Sequence, residues 1–211
     1  MIAVTDHNSA ENAPAVIAAA RDRAVTVLAG MEVTTAEEAH VLGLFPTLAA
    51  AMAMQAVVYD HLQPGENDEE LFGLQVVASA EDEVEGMNPR LLSGATDLDV
   101  DQVVAAIHDQ GGLAIACHID REAYSLVGQL GFIPPDLALD AVEISARLTL
   151  PAARERFAEY AARPFVTASD AHDLEQLGRS PCRLRVAAPS FDELGRALAQ
   201  RDGRAVLELE A

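Results

Sequence analysis

Six residues of this sequence carry imidazole or carboxylate groups that could hold metal ions together. They are His7, Glu32, His40, His118, Asp170 and His172. Imidazole and carboxylate ligands suit zinc, iron or manganese, and one glutamate can bridge two ions through its two oxygens. A single histidine at a strand end is more often an ordinary surface or core residue. The recurrence of such groups at strand ends favours a metal cluster.

The elements that must position these residues are predicted strands alternating with helices. Strands are expected at "MIAVT", "VTVLAGMEVTT", "HVLGLF", "LAIAC", "DAVEIS" and "FVTAS". Nearly all six residues lie at or just beyond the C-terminal end of such a strand. The alternation predicts a parallel sheet or barrel, and an α/β barrel carries its active site at that rim. We therefore expect the six side chains to converge within ~10 Å, the scale of a cluster of ions.

The side chains on the strand faces beneath the polar groups are predicted to be small. Side chains at i and i+2 share a face of a strand. Ala114 and Ala116 therefore lie beneath His118, and Thr5 lies beneath His7. Such residues would leave space for ions and a substrate.

Capping residues and turns predict the remaining organisation. Three helices are expected to begin at polar caps: Asn12, Asp99 with Gln102 completing a capping box, and Ser190 with Glu193 completing another. Residues 64–98 interrupt the alternation and are interpreted as an inserted loop region with a hairpin around "EDEVEG". The chain is otherwise expected to form a single domain, 1–211.

Two further histidines, His61 and His108, are kept outside the predicted cluster. Both lie in the last turn of a predicted helix. The helix dipole favours a histidine there, so no metal is needed to explain either residue.

Composition limits the classes of function. Half of the 211 residues are apolar, but no apolar run reaches the ~18–20 residues of a membrane span. The start lacks the basic segment of a signal peptide, which predicts a cytoplasmic protein. Cys117 and Cys182 form no CxxC pair, so a thiolate zinc site is not expected. The net charge of -20 makes nucleic acid an unlikely partner, whereas a small phosphorylated substrate remains compatible with bound metal.

Four stretches resemble, in order, motifs of the PHP (polymerase and histidinol phosphatase) superfamily: "IAVTDHNS", "GMEVTTAEEAHVLGLF", "IACHID" and "TASDAH". The resemblance covers nearly the whole chain. It is greatest to the small stand-alone bacterial members, which are metal-dependent phosphoesterases. It implies an irregular (β/α)7 TIM-like barrel whose metals, commonly three, activate water for attack on a phosphate ester without a side-chain nucleophile.

The resemblance also implies that the first βα unit of the family is missing. Family members begin with a strand ending in a His-x-His pair, and no such pair occurs here. A strand, a helix and their loops amount to on the order of 30–40 residues. On the family pattern, the first ion keeps Glu32 with Asp170, the second keeps Glu32 with His40 and His118, and the third keeps His7 with His172. Only the second set is complete, because the other two have lost ligands.

The implied activity is hydrolysis of phosphomonoesters or phosphodiesters, impaired here by the missing ligands. Asp6 is expected to orient a ligand imidazole, with an Asx turn as an equal alternative. Arg121 and Arg147 could bind phosphate through two hydrogen bonds each, although ordinary surface arginines are equally expected. Two other classes remain: an inactive metal-binding remnant, and a PHP-type exonuclease. The exonuclease is disfavoured by the charge and by the absence of Trp.

Overall fold

The computed structural model of this protein describes residues 1–207. The chain has a mixed α/β fold and divides into two compact units, one over Met1–Leu113 and one from Ala114 onward. Within residues 1–207, every helix is too short or too polar to traverse a lipid bilayer.

Unit 1 combines a three-stranded sheet with helices and a separate hairpin. Its elements are β1 (Ile2–Val4), α1 (Ala13–Ala19), β2 (Val27–Thr34), β3 (His40–Phe45), α2 (Leu48–His61), α3 (Glu69–Phe72), β4 (Val76–Ala78), β5 (Val84–Met87) and α4 (Val100–Asp109). β1 pairs with β2 in parallel, with Ile2 opposite Val27.

The pairing of β2 with β3 differs from the predicted parallel arrangement. The two strands are antiparallel, with Glu32 opposite Leu42 and Thr34 opposite His40. The reason lies in the short loop of residues 35–39. A parallel neighbour would need a crossover of a dozen or more residues, so this loop can only make a hairpin.

Apolar residues on one face of the sheet and on two helices form the core of unit 1. Met31 and Val33 of β2 are fully buried, as are Met54 of α2 and Ile107 of α4. Each such side chain contributes about 1.5–3 kcal/mol when it is removed from water. The predicted capping box of α4 is confirmed, with both its hydrogen bonds at 2.9 Å. This core holds β2 and β3 rigidly from one side.

The predicted hairpin within residues 64–98 is also confirmed, because β4 and β5 pair in antiparallel fashion. The cap predicted for α1 is wrong, since the Asn12 side chain makes no capping hydrogen bond. Instead, Asn12 Nδ2 donates to Val76 O at 3.0 Å and its Oδ1 accepts from Ala78 N at 3.0 Å. An asparagine amide presents one donor and one acceptor like a peptide group, so it serves here as a partner for β4.

Unit 2 contains three parallel strands and a later antiparallel pair. Its elements are β6 (Leu113–Ala116, starting at the boundary), α5 (Leu126–Leu130), β7 (Ala141–Ile144), α6 (Leu150–Arg156), a 3-10 turn (Ala158–Tyr160), β8 (Phe165–Thr167), β9 (Arg183–Arg185), α7 (Phe191–Leu198) and β10 (Ala205–Leu207). β7 pairs in parallel with β6 and β8, and β9 pairs with β10. The sequence also predicts a strand at "AVLELE", of which residues 208–210 lie outside the described residues.

The capping box predicted for α7 is only half formed. Ser190 Oγ accepts from Glu193 N at 3.3 Å, as expected. The Glu193 carboxylate instead accepts from Arg204 Nε at 2.8 Å, Arg204 Nη2 at 3.0 Å and Ala187 N at 2.6 Å. These bonds, led by those from Arg204, lower the pKa of Glu193 to about 2. A salt bridge between α7 and the turn before β10 therefore replaces the second half of the box.

Candidate metal centre

Three of the six predicted ligands meet in unit 1. One ligand atom from each of His7, Glu32 and His40 lies within 4.8 Å of the others. His7 reaches Glu32 because the ladder between β1 and β2 continues past Val4. Glu32 N donates to Asp6 O at 3.1 Å, and Asn8 N donates to Glu32 O at 2.9 Å.

His40 reaches the same place through the β2–β3 hairpin. Glu32 and Thr34 share a face of β2 because they are two residues apart. His40 stands directly opposite Thr34, so its side chain lies on that face, diagonal to Glu32. Strand pairing alone therefore brings the three polar side chains together.

The Glu32 carboxylate lies between the two imidazoles. Its Oε1 is 2.9 Å from His40 Nδ1, and its Oε2 is 3.6 Å from His7 Nδ1. The two rings are edge to face, with centroids 5.0 Å apart. Glu32 and His40 are buried, whereas the His7 side chain is 38% exposed. Each carboxylate oxygen thus faces a different histidine, and the site is accessible on the His7 side.

These residues fit a divalent ion. Ligands of a tetrahedral zinc at ~2.0–2.1 Å are about 3.4 Å from one another. The distances from Glu32 to the two histidines lie close to this value, so small side-chain rotations suffice. A carboxylate with two imidazoles is also the donor set that zinc, manganese or iron accepts.

The layer beneath Glu32 is tightly packed at Gly30, and the space predicted beneath His7 stays a prediction. Gly30 lies two residues before Glu32, on the same face. A Cβ at Gly30 would lie 2.7 Å from Thr5 Cγ2 and 2.9 Å from Leu44 Cδ2. Only glycine permits these close contacts, and the packed layer supports Glu32 from below.

Asp6 makes a hydrogen bond away from the imidazoles. Its Oδ2 accepts from Asn12 Nδ2 at 3.3 Å. Protein atoms around the carboxylate raise the pKa of Asp6 above its ordinary value, although the residue as a whole is exposed. The Asn12 bond and the nearby His7 oppose this rise in pKa. Its orientation of an imidazole stays a prediction.

In unit 2, the predicted ligands follow strands and adopt unusual backbone conformations. His118 follows β6 with φ +28° and is buried, and Asp170 follows β8 with φ +47°. Residues other than glycine seldom have positive φ, and such strain concentrates at functional sites. Ile119 N donates to Glu143 O at 2.9 Å, so the segment after His118 stays bonded to β7.

Asp170 has both His172 and Arg121 beside it. His172 Nδ1 lies 3.0 Å from the Asp170 carbonyl oxygen. Arg121 Nη2 lies 2.6 Å from Asp170 Oδ2, and Arg121 N donates to His118 O at 2.9 Å. One of the two arginines predicted to bind phosphate is therefore beside a predicted ligand. The other, Arg147, is exposed.

Sequence reasoning missed Glu143 of β7, which is only 5% exposed. Carboxylates are almost never buried unless they are paired, so a buried glutamate in a strand indicates a specific role. The signal was available as the single charged residue of Ala141–Ile144. His61, which is predicted to lie outside the cluster, ends α2. Its Nδ1 lies 2.7 Å from Asp97 Oδ1.

Comparison with known proteins extends the fold evidence. No family model and no curated protein matches this chain. Among solved structures, Endonuclease Q of Pyrococcus furiosus, a lesion-specific endonuclease, matches with TM-score 0.61 and 18% identity, over 89% of this chain and 43% of that chain. Endonuclease Q in complex with a 27-mer duplex matches with TM-score 0.65 and 18% identity, over 87% and 42%. This chain therefore spans less than half the length of Endonuclease Q.

A third structure matches over most of both chains. It is a candidate metal-dependent phosphoesterase from Bifidobacterium adolescentis, with TM-score 0.54 and 15% identity, over 94% of this chain and 85% of that one. This chain shares the fold of these structures, and the likeness agrees with the order of the motifs that resemble the PHP superfamily. Within unit 1, His7, Glu32 and His40 form a candidate metal site.

Proposed function

We propose that this chain is a metal-dependent hydrolase of phosphoesters. The observation that carries the proposal is the buried carboxylate of Glu32, whose two oxygens face His7 and His40. A divalent ion held there would supply Lewis acidity toward a phosphate oxygen and would lower the pKa of a water molecule. The likeness to the Bifidobacterium adolescentis protein supports this reaction class.

The residues of unit 1 have separate roles in this proposal. Glu32 would hold the ion through its carboxylate. His40 is buried beside Glu32 and would supply one imidazole ligand. His7, with its partly exposed side chain, lies where a substrate would approach. We also infer, from the family resemblance, that His118, Asp170 and His172 are further ligands.

Arg121 is the arginine that we assign to phosphate binding. Its guanidinium is held by the Asp170 carboxylate, which restricts its rotation and orients its remaining N–H groups. A guanidinium can donate two parallel hydrogen bonds to phosphate oxygens. Arg147 stays a weaker proposal because, among residues 1–207, no contact of its side chain orients it.

Hydrolysis of a nucleic-acid phosphodiester is the second candidate function. The matching Endonuclease Q complex contains duplex DNA with an abasic lesion at the active site. The expectation that nucleic acid is an unlikely partner therefore needs correction, and a nucleic-acid substrate is possible. The net charge of -20 and the short span relative to Endonuclease Q keep it second.

The fold match also supports a finer description of the architecture. We infer that the strands belong to an irregular (β/α)7 barrel of PHP type. The strand-end positions of the proposed ligands are those expected at the rim of such a barrel.

The decisive experiment separates metal dependence from substrate class. Protein stripped with a chelator and reloaded with Zn²⁺, Mn²⁺ or Fe²⁺ is assayed on p-nitrophenyl phosphate, bis-p-nitrophenyl phosphate and an abasic duplex. We expect metal-dependent hydrolysis of a small ester, abolished in Glu32→Gln. Metal binding without hydrolysis of any substrate would favour the inactive remnant. Cleavage of the duplex alone would favour the second candidate.

A further inference from the structure

The loop of residues 5–12, which joins β1 to α1, carries His7 and is attached to the inserted region 64–98 by side-chain amides. We propose that Asn8 is a positioning residue that fixes His7 by attaching this loop to the inserted region. The inference rests on the metal centre proposed above, and it assigns a role to a region that the motifs leave unexplained.

Asn8 connects three segments through one buried side chain. Its Nδ2 donates to Leu92 O at 2.9 Å and to Gly94 O at 2.8 Å, and its Oδ1 accepts from Thr34 N at 3.0 Å. The residue is 0% exposed and has φ +50°. Asparagine tolerates this conformation better than most residues. The amide therefore uses both its donors and one acceptor in a place where water cannot replace them.

The partners of Asn8 belong to the same site. Thr34 stands opposite His40 and two residues after Glu32. Thr34 O in turn accepts from Thr96 N at 2.9 Å and from Thr96 Oγ1 at 2.8 Å. The end of the inserted region is thus attached to the strand that carries Glu32. Asn8, the residue after His7, joins both the inserted region and this strand to the loop that carries His7.

Other side chains of the same loop make similar attachments. The Asn12 side chain makes hydrogen bonds with the backbone of β4 at Val76 and at Ala78. Glu11 Oε2 accepts from Asn88 Nδ2 at 2.9 Å. Ser9 Oγ lies 3.1 Å from Tyr59 Oη, so α2 also holds the loop.

This arrangement compensates for the position of His7 beyond the regular strand. Two backbone hydrogen bonds with Glu32 extend the ladder as far as Asn8, but the rest of the loop lies outside the sheet. Each orientation that the loop loses when metal binds lowers the affinity for metal. Hydrogen bonds from Asn8 restrict the loop before the metal arrives. Residues that orient metal ligands in this way typically change metal affinity by ~10–100-fold when they are replaced.

The test compares Asn8→Gly with the wild-type protein, using Co²⁺ as the probe. Glycine accepts the positive φ and removes the whole side chain with its three hydrogen bonds. Titration with Co²⁺, followed by its visible absorption, reports both affinity and ligand geometry without any substrate. We expect Asn8→Gly to weaken Co²⁺ binding ~10–100-fold and to alter the spectrum. Circular dichroism at the titration temperature establishes that the variant is folded.

Two more variants complete the design. Asn8→Asp keeps the size and the Thr34 bond but places an oxygen against the carbonyls of Leu92 and Gly94, so it should weaken binding similarly. It serves as the measurement if Asn8→Gly does not fold. Asn67→Ala removes a side-chain amide bond to Gly73 O, at 2.8 Å, inside the inserted region and away from His7. This control should bind Co²⁺ like the wild type.

The outcomes separate the two proposals. Wild-type affinity and spectrum in both folded Asn8 variants would overturn the positioning role and leave the metal centre intact. An equal loss in Asn67→Ala would show a general effect of the inserted region and would also overturn it. No Co²⁺ binding by the wild-type protein would overturn the metal centre and the inference together.

Discussion

At the scale of residues, Glu32 is the position on which the proposed centre depends most. It is buried, lies between two imidazoles, and rests on a glycine that leaves no room for movement below. A buried carboxylate costs free energy unless it is paired or bound to an ion. Glu32 is paired with His40 Nδ1 at 2.9 Å, and the proposed ion would offset the remaining cost of burying its charge.

Replacement of Glu32 by glutamine should remove metal binding at nearly constant shape. The amide cannot supply two anionic oxygens, so we expect at least ~100-fold weaker binding, the upper end of what loss of an orienting partner causes. Metal content after dialysis measures it. His61→Ala is the control, because His61 pairs with Asp97 at the surface. Full metal content in Glu32→Gln would contradict the assignment.

Arg121 should affect substrate binding more than Arg147. Hydrogen bonds to charged groups contribute about 1.5–3 kcal/mol, so Arg121→Ala should raise KM for a phosphoester by about 10–100-fold. Arg147→Ala should raise KM less, since no side-chain contact within the described part of the chain orients that guanidinium. Steady-state kinetics at fixed metal concentration measure both. Equal effects would mean that the contact with Asp170 has no part in substrate binding.

At the scale of elements, local signals predicted more than long-range pairing. The Asp99–Gln102 capping box and the β4–β5 hairpin follow from neighbouring residues, and the sequence predicted both. The capping box predicted at Ser190 is only half formed, because the Glu193 carboxylate accepts a hydrogen bond from Arg204, which lies outside the helix. A competing partner that is distant along the chain is invisible to a local pattern.

Two other elements show where prediction from the sequence stopped. The sequence pattern predicts an irregular segment over "YSLVGQLGFIPPDLA", yet residues 126–130 form a helix capped by Ser125. Gly128 in its centre weakens the helical pattern. His7, Glu32 and His40 were predicted as ligands, but Asn8 was missed because only the folded inserted region reveals its bonds. The single domain and the missing βα unit stay predictions.

The salt bridge between Glu193 and Arg204 should make unit 2 sensitive to acid. Arg204 holds the folded-state pKa of Glu193 near 2, below the ordinary value of 4.5. The stabilisation is present above 4.5 and is lost as the pH falls toward 2. Denaturant unfolding across this range should therefore show a steeper loss of stability in the wild type than in Glu193→Gln.

A neighbouring carboxylate provides the control for this experiment. Asp202 lies 3.8 Å from Arg196 and its side chain is 66% exposed. An exposed ion pair contributes little to stability, so Asp202→Asn should keep the pH dependence of the wild type. A parallel pH dependence in Glu193→Gln would show that the Arg204 bonds do not set the acid response.

At the scale of the whole molecule, the net charge of -20 distinguishes the two candidate substrates. Non-specific binding to DNA normally gives Kd values of 10⁻⁴–10⁻⁶ M and depends on Lys and Arg that neutralise phosphates. We expect this chain to bind an abasic duplex more weakly than ~10⁻⁴ M at physiological salt. Fluorescence anisotropy measures this affinity. Tighter binding that weakens steeply with salt would favour the nucleic-acid candidate.

The β2–β3 hairpin has a consequence for the order of events during folding. Glu32 and His40 are joined by a loop of residues 35–39, so the entropy of bringing them together is small and the hairpin can form within microseconds. His7 must wait for α1 and the whole of β2 to pack. We therefore expect an ion present during refolding to bind a transition state in which this hairpin has already formed, and so to lower the free energy of that state. Stopped-flow refolding of the wild type should accelerate with added Co²⁺. This acceleration should be lost when His40 is replaced by alanine.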